Sequence, residues 1–454
     1  MLRRFFYHSY RRLFASARWL GRRFTRAGEF ALGLTMLAAV IGADTNQTTA
    51  YQAFAFLAAM FGVSALWTIL RRFGPGVLSV QRLLPRFGTA GRAVSYTVRV
   101  RNESPRPQRG VILLEDMEDP RPSWQEFAVK SPRRKRDAAA WLDDWLGASR
   151  WRDLVARRQP AVIGAQVVPD LPPRGEVEVR IEVTPRRRGR VHFTGMTLAR
   201  TDVFGMMLGH RRLPWPQSLL VLPKRYVLPP IAMPGTRQYQ TAGVAQASSV
   251  GQSDEFVSLR DYRPGDPLRH IHWKSVAKTD RLIVREHEDE FFVRHALILD
   301  TFVAGGEEET FEEAVSVAAS FVCTIQTQES LLDLLFVGTE AYCFTAGRGV
   351  GHIERMLEVL AGVNTCAGKS FPALESLVLR HAPLVSGCVC VFLAWDESRR
   401  RLVRLLQGLR VPLRVCVVTG AGQTGALDPG PMKNEPHHFH VLRAGKIQED
   451  LSRW

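Results

Sequence analysis

The chain has 454 residues, 61 basic against 44 acidic side chains, a formal charge of +17 and a pI near 10.2. That length, with 46% hydrophobic residues, leaves room for two or three soluble domains and excludes a small disulfide-framed or disordered class. Basicity of this size raises nucleic acid as a partner, but no zinc-finger spacing, aromatic RNA-binding signature or continuous basic helix accompanies it, so lipid is the expected counter-charge and nucleic acid is not.

Residues 1–28 form a basic N-terminal segment with eight arginines and no acid. Two apolar stretches follow within residues 29–71, Phe30–Ala43 and Ala50–Leu70, separated by a short polar loop. The second matches the ~20 residues that cross a hydrocarbon core, and the shorter first one spans with help from snorkelling flanks. A two-helix transmembrane hairpin is expected. Arg71, Arg72, Arg82 and Arg86 follow it, whereas the intervening loop carries Asp44 and no base. The positive-inside rule then puts both flanks, and the soluble body, on the cytoplasmic side of a bacterial inner membrane. The Arg3-Arg4 pair lies too far ahead of any apolar run to be a twin-arginine signal.

From residue 76 to 228, short alternating segments such as Val94–Val100, Glu176–Val183 and Val191–Leu198 are broken by Pro and Gly. Period-two alternation with frequent turns predicts a β-sandwich. Residues 137–158 depart from it: Trp141, Leu142, Trp145, Leu146, Trp151, Leu154 and Val155 recur at helical spacing and predict an amphipathic insert, either on the membrane surface or over a sheet edge.

Residues 293–454 alternate strand and helix patterns. Strands are expected at His295–Asp300, Leu331–Val337, Ala341–Thr345, Cys388–Leu393 and Val411–Val418, and helices at Glu312–Thr327, Val350–Ala361, Phe371–Leu379 and Glu397–Leu409. This order predicts an α/β doubly wound domain whose ligand crevice lies at the carboxyl ends of the strands, where Asp300 and Asp396 fall. All six cysteines lie in this last third; most sit inside apolar runs and read as small buried hydrophobes of a reducing compartment.

Between the two soluble domains, residues 245–292 hold the most distinctive segment. It runs from Gly251 through Asp254-Glu255-Phe256, Leu259-Arg260-Asp261-Tyr262-Arg263-Pro264-Gly265-Asp266 and Arg269-His270-Ile271-His272-Trp273-Lys274 to Arg285-Glu286. Nine acids and seven bases between 254 and 290 interleave with Phe, Tyr and Trp, as in a fixed ionic network on an apolar platform. Arg260, Asp261, Tyr262, Arg263, Asp266, Arg269, His272, Trp273 and Lys274 are the candidate residues for partner binding or for a network between domains. An internal brace made of the same residues is the alternative.

This segment resembles the signature of the domain of unknown function 58 family. Arg187-Arg188-Gly189, Thr201-Asp202-Val203-Phe204-Gly205 and Leu220-Val221-Leu222-Pro223 resemble landmarks of that family's β-domain. The resemblance implies a hairpin-anchored protein with a β-sandwich and a von Willebrand factor type A-like domain. It also implies association with a MoxR-type AAA+ ATPase in the assembly or maturation of protein complexes, with client proteins, without a cofactor, a catalytic residue or a small-molecule substrate.

A metal-binding type A domain carries D-x-S-x-S after its first strand. Here the loop reads Asp300-Thr301-Phe302-Val303-Ala304, so two hydroxyl donors are missing, no metal is expected at the degenerate pair Asp300 and Asp396, and these acids are expected to cap helices or pair with Arg. The competing reading is a metal-dependent adhesion or hydrolytic module using these acids with His270 and His272. Ala367-Gly368-Lys369-Ser370 resembles the end of a phosphate loop but has Val363 where the earlier glycine belongs.

Overall fold

The computed structural model describes residues 2–41, 48–70, 77–128, 146–229, 256–264, 268, 271–287, 293–303, 308–324, 330–346, 350–366, 368–420 and 427–454. The chain divides into two compact units, one built mainly from Met1–Arg225 and one mainly from Tyr226–Trp454.

The first unit begins with three helices, α1 (Leu2–Arg23), α2 (Arg26–Ile41) and α3 (Thr48–Leu70). Among the described residues only α3, over Thr49–Leu70, is long and apolar enough to cross a membrane. Its outer surface is inverted relative to a soluble helix: Phe56, Val63, Leu66 and Ile69 are exposed, while Ser64 and Thr68 are covered. Helix α2 packs on α3, but its 16 residues span only ~24 Å at 1.5 Å per residue, against a hydrocarbon core of ~30 Å. Of the expected pair, α3 is long enough by itself and α2 is a shorter companion.

Two sheets follow. The first orders β1 (Leu78–Leu83), β3 (Val94–Asn102), β7 (Glu176–Pro185) and β5 (Ala161–Val162), all antiparallel. The second orders β2 (Phe87–Thr89), β9 (Leu208–Leu222), β8 (Gly189–Thr201), β4 (Val111–Met117) and β6 (Gln166–Val167). Alternation places Val98 and Val100 of β3 and Val179 and Ile181 of β7 in one buried cluster with Val111 and Leu113 of β4 and Met196 and Leu198 of β8. At the edge of that core lies a buried charge. Arg82 pairs with Glu115 through Nη2–Oε2 (2.5 Å) and Nε–Oε1 (3.2 Å), its guanidinium 4.4 Å from the Phe193 ring, and the Tyr96 hydroxyl donates to Glu115 Oε1 at 2.9 Å.

Between β4 and β7 lie α4 (Trp124–Ala128) and α5 (Ala148–Arg158). The described part of the Trp-rich insert is α5; residues 129–145, with Trp141 and Trp145, lie outside the described residues. Trp151 and Val155 of α5 do not face outward. They form a buried cluster with Phe127 and Tyr7 of α1, and the Tyr7 hydroxyl donates to Pro122 O at 3.0 Å. The insert thus makes a seat for α1, a helix that the sequence reading did not anticipate because aromatic residues on two of its sides hide a single apolar stripe.

In the second unit, β10 (Phe256–Asp261) and β11 (Ile283–His287) pair as an antiparallel ribbon around α6 (Trp273–Thr279). The main sheet comprises β12 (Val293–Leu299), β13 (Ser330–Val337), β14 (Ala341–Ala346), β15 (Gly387–Phe392), β16 (Leu413–Thr419) and β17 (Phe439–Arg443), in the order β14-β13-β12-β15-β16-β17. All neighbours are parallel except β14, which returns antiparallel at one edge. The helices are α7 (Glu308–Thr324), α8 (Val350–Gly362), α9 (Pro372–His381), α10 (Glu397–Gly408) and α11 (Ile447–Leu451). Ala296, Ile298, Cys388, Cys390, Val415 and Val417 face α9 and α10 in one cluster, and α7 packs on β12, β15 and β16, where alternation presents Leu297, Val389 and Val391 on the opposite face. Strand β17 and α11 were not expected from the sequence.

Candidate functional site

In the main sheet the chain leaves β12 for β13 on one side and returns as β15 on the other, so the strand order reverses between β12 and β15. Open α/β sheets carry their ligand crevice at that point, outside the carboxyl ends of the strands. Asp300 directly follows β12 and Asp396 follows β15.

A side chain of this protein occupies the space between them. The buried Arg399 guanidinium donates to Asp300 Oδ2 from Nε (3.0 Å) and Nη2 (2.9 Å), to Asp396 Oδ2 from Nη1 (2.7 Å) and to Phe302 O from Nη2 (3.1 Å). Its plane lies over the Phe371 ring at 4.4 Å. Arg399 arrives there because Asp396 caps α10, its Oδ1 accepting from Arg399 N at 3.1 Å. That cap starts the helix and puts position 399 on its first turn, facing the strand ends. Asp300 is fully buried and also accepts from Phe302 N (2.9 Å) and Leu393 N (3.2 Å). Burial pushes its carboxyl above the usual range, and the Arg399 charge and the two backbone amides oppose that shift.

These residues do not fit a divalent ion. Oxygens that would coordinate one are already accepting from a guanidinium, and the Thr301 hydroxyl donates to Val337 O, away from the crevice. Among the described residues no three His, Cys, Asp or Glu side chains converge as a metal site. His272 is engaged locally, with Nδ1 2.6 Å from Ser275 Oγ, and His270 lies outside the described residues. The Gly368-Lys369-Ser370 stretch precedes α9, with no strand leading into it as a phosphate loop requires.

The signature segment is a second candidate surface. Ile271 bridges to Val284, and both are buried, so β11 is held between β10 and residue 271. Tyr262 N donates to Leu282 O at 2.8 Å, one rung beyond Asp261–Ile283, and His272 N donates to Ile283 O at 2.9 Å on the other edge of β11 at the same end. Asp280 closes α6 with a left-handed backbone (φ 55°), its N–H bonded to Val276 O. Outside this small core the large apolar groups point to solvent: Trp273 is 64% exposed and Leu268 68%, with Leu259 and Leu282 also exposed.

The structure brings Arg260, Asp261, Tyr262, Arg263, His272, Trp273 and Lys274 onto this one ribbon and its short helix. Asp261, Arg263, Trp273 and Lys274 are exposed, and Arg260, Tyr262 and His272 are half-buried. Asp266 and Arg269 lie outside the described residues. The sequence reading expected the two acids to cap helices or pair with an arginine, and both occur, but it did not name Arg399, the residue that decides what the crevice can hold. Its only local signal is position three after a capping Asp.

Comparison with known proteins adds the following. A family model described as "Protein of unknown function DUF58" matches residues 258–383, from the ribbon to just past α9. The uncharacterized protein YeaD of Bacillus subtilis (strain 168) is 28% identical over 178 residues, which cover 38% of this chain and 42% of that protein. Among solved structures, a mutant of Salmonella alpha-2-macroglobulin is similar over 36% of this chain and 8% of its own, at 13% identity and a TM-score of 0.19. The GH20 exo beta-N-acetylglucosaminidase of Vibrio harveyi aligns with 80% of this chain and 60% of its own, at 9% identity and a TM-score of 0.14. Scores this low carry no argument about fold or activity.

Proposed function

We propose, from the DUF58 match over residues 258–383, that this protein is a non-catalytic, membrane-anchored scaffold that presents its signature ribbon to a protein partner. In this reading α2 and α3 form the anchor as a hairpin. The two sheets of the first unit form a β-sandwich, and the second unit is von Willebrand factor type A-like. The partner implied by the resemblance is a MoxR-type AAA+ ATPase acting on client complexes at the cytoplasmic face of the bacterial inner membrane.

One observation carries the reading: Trp273, Leu268, Leu259 and Leu282 are exposed on a two-stranded ribbon flanked by Arg263 and Lys274. Exposed aromatic and basic groups on a small platform are the composition of an interface hot spot. The filled crevice supports the same view, because Arg399 takes up the acids that a metal-dependent module needs.

Co-purification of the detergent-solubilised full chain tests the proposal. Trp273→Ala and Arg263→Glu are expected to abolish recovery of a AAA+ ATPase while leaving the circular dichroism spectrum and melting transition unchanged. Folded variants that still recover the ATPase at the wild-type level refute ribbon docking, and variants that unfold favour the brace.

A further inference from the structure

We propose that helix α1 is a second membrane contact: its outer face lies in the headgroup region of an anionic phospholipid leaflet, alongside the α2–α3 anchor. This rests on the membrane reading above and extends it to a surface whose residues can be named.

Helix α1 has two differently used sides. Tyr7, Tyr10 and Phe14, at spacings of three and four, meet Trp124, Phe127 and Trp151, with Tyr7 ring centroids 5.4, 5.6 and 5.8 Å from those three partners. Arg22 and Arg18 fasten this inner side to Asp116 (2.6 Å) and Asp119 (3.7 Å). Phe5, Leu13 and Trp19 fall on the other side and are 64%, 66% and 56% exposed. At 100° per residue, positions 5, 9, 12, 13, 16, 19, 20 and 23 share that outer face.

Two observations choose lipid as the occupant. The first is charge. α1 holds seven arginines and no acidic residue, and among the described residues no carboxylate pairs with Arg4, Arg11 or Arg12, all exposed. Arg4, His8 and Arg11 also line a cleft with Trp124, Arg121 and Arg158, whose one carboxylate, Asp119, is already bonded to Arg121. A protein partner of ordinary composition would have to supply the missing acids, whereas an anionic leaflet offers phosphates to Arg12 on the outer face and to Arg4 and Arg11 on its flank.

The second is continuity with the apolar helix. The Trp19 ring lies 6.1 Å from Phe24, and Phe24 lies 6.0 Å from Phe61 of α3. Thr25 N donates to Met206 O at 3.0 Å, which fixes the corner where α1 turns into α2. The outer face therefore ends at the mouth of the anchor, the level at which Trp and Arg sit in an interfacial helix.

The test uses the full chain in lipid nanodiscs, with a photo-crosslinking phenylalanine analogue placed singly at positions 5, 13 or 19 (outer face), 14 (inner face), 56 (outward on α3) or 409 (exposed on the second unit). Positions 5, 13, 19 and 56 are expected to crosslink phospholipid, and positions 14 and 409 are not. With phosphatidylglycerol in the disc, Arg12→Gln should lower lipid capture at 5, 13 and 19 by roughly fivefold, with capture at 56 unchanged and no such loss in pure phosphatidylcholine. Capture at 56 without capture at 5, 13 and 19 overturns this inference and leaves the anchor standing. Absence at 56 as well overturns both. Crosslinking of 5, 13 and 19 to a second copy of the chain overturns the inference in favour of self-association.

Discussion

Replacing Arg399 with alanine measures how much of the second unit depends on a guanidinium in its strand-end crevice. The substitution removes both donors to Asp300 Oδ2, the bond to Asp396 and the cover over Phe371, and leaves a fully buried carboxylate with two backbone amides. Breaking a buried ion pair by deleting one partner costs about 3–5 kcal/mol. For a unit of this size, where 1 kcal/mol moves the midpoint by ~2–4 °C, that corresponds to a loss of ~6–20 °C. Differential scanning calorimetry of the detergent-solubilised chain should show the second-unit transition fall by this amount and the first-unit transition stay in place. Arg399→Met combined with Asp300→Asn should recover part of the loss, because the stranded charge is gone. Magnesium, manganese or zinc titrated into the wild-type chain should give no binding heat, since Arg399 already holds the acids. A loss below about 1 kcal/mol for Arg399→Ala, the range of an exposed pair, or a saturable metal isotherm for the wild type, would refute the reasoning.

Three further outcomes follow from local geometry. A Cβ at Gly28 would lie 2.0 Å from Met206 O, so Gly28→Ala must push α2 off the β8–β9 turn; a cost of ~1–3 kcal/mol and faster amide exchange at Thr25 are expected, and unchanged exchange would contradict the close approach. His440 stacks on Trp454 (4.1 Å) with Nε2 3.3 Å from Arg414, and burial, then the Arg414 charge, lowers its pKa from 6.5 to about 4. The unfolded chain takes a proton near 6.5 that the folded chain refuses, so this contribution to stability is complete above that pH and is lost as pH falls toward 4. NMR titration should place the midpoint near 4, and His440→Gln should flatten the stability profile in that window. Burial pushes the thiols of Cys388 and Cys416 up to about 12 and that of Cys390 well above its usual value, whereas Cys323 and Cys343 are exposed. A thiol reagent at neutral pH should label the exposed pair first and reach the three strand cysteines only after denaturation, and early labelling of Cys390 would contradict the sheet register.

Much of the fold was legible because it rests on local periodicity. The alternation of Tyr96, Val98 and Val100 against Arg99 and Arg101 marks β3 whichever strands it later pairs with, and the expected strands and helices of residues 293–420 match the observed ones to within a few residues. The apolar helix pair was legible only in part, since run length identifies α3 while α2 ends at Ile41. The burial of Trp151 was not legible. Its helical spacing reads equally well as a membrane-facing or a core-facing stripe, and only the arrival of Tyr7 from the other end of the first unit resolves it. The thiols split for a similar reason: Cys388, Cys390 and Cys416 lie on central strands, while Cys343 sits on the edge strand β14.

The sequence alone determined the strand and helix order between residues 293 and 420, the apolar helix and the distinctive segment at 245–292, because each is written in neighbouring residues. Tertiary structure decided the chemistry of the crevice. Asp300 and Arg399 are separated by 99 positions, so the sequence can suggest that these acids pair with an arginine but not which arginine reaches both. Coulomb attraction inside a buried pocket is set by distance in space, and the folded sheet alone fixes that distance.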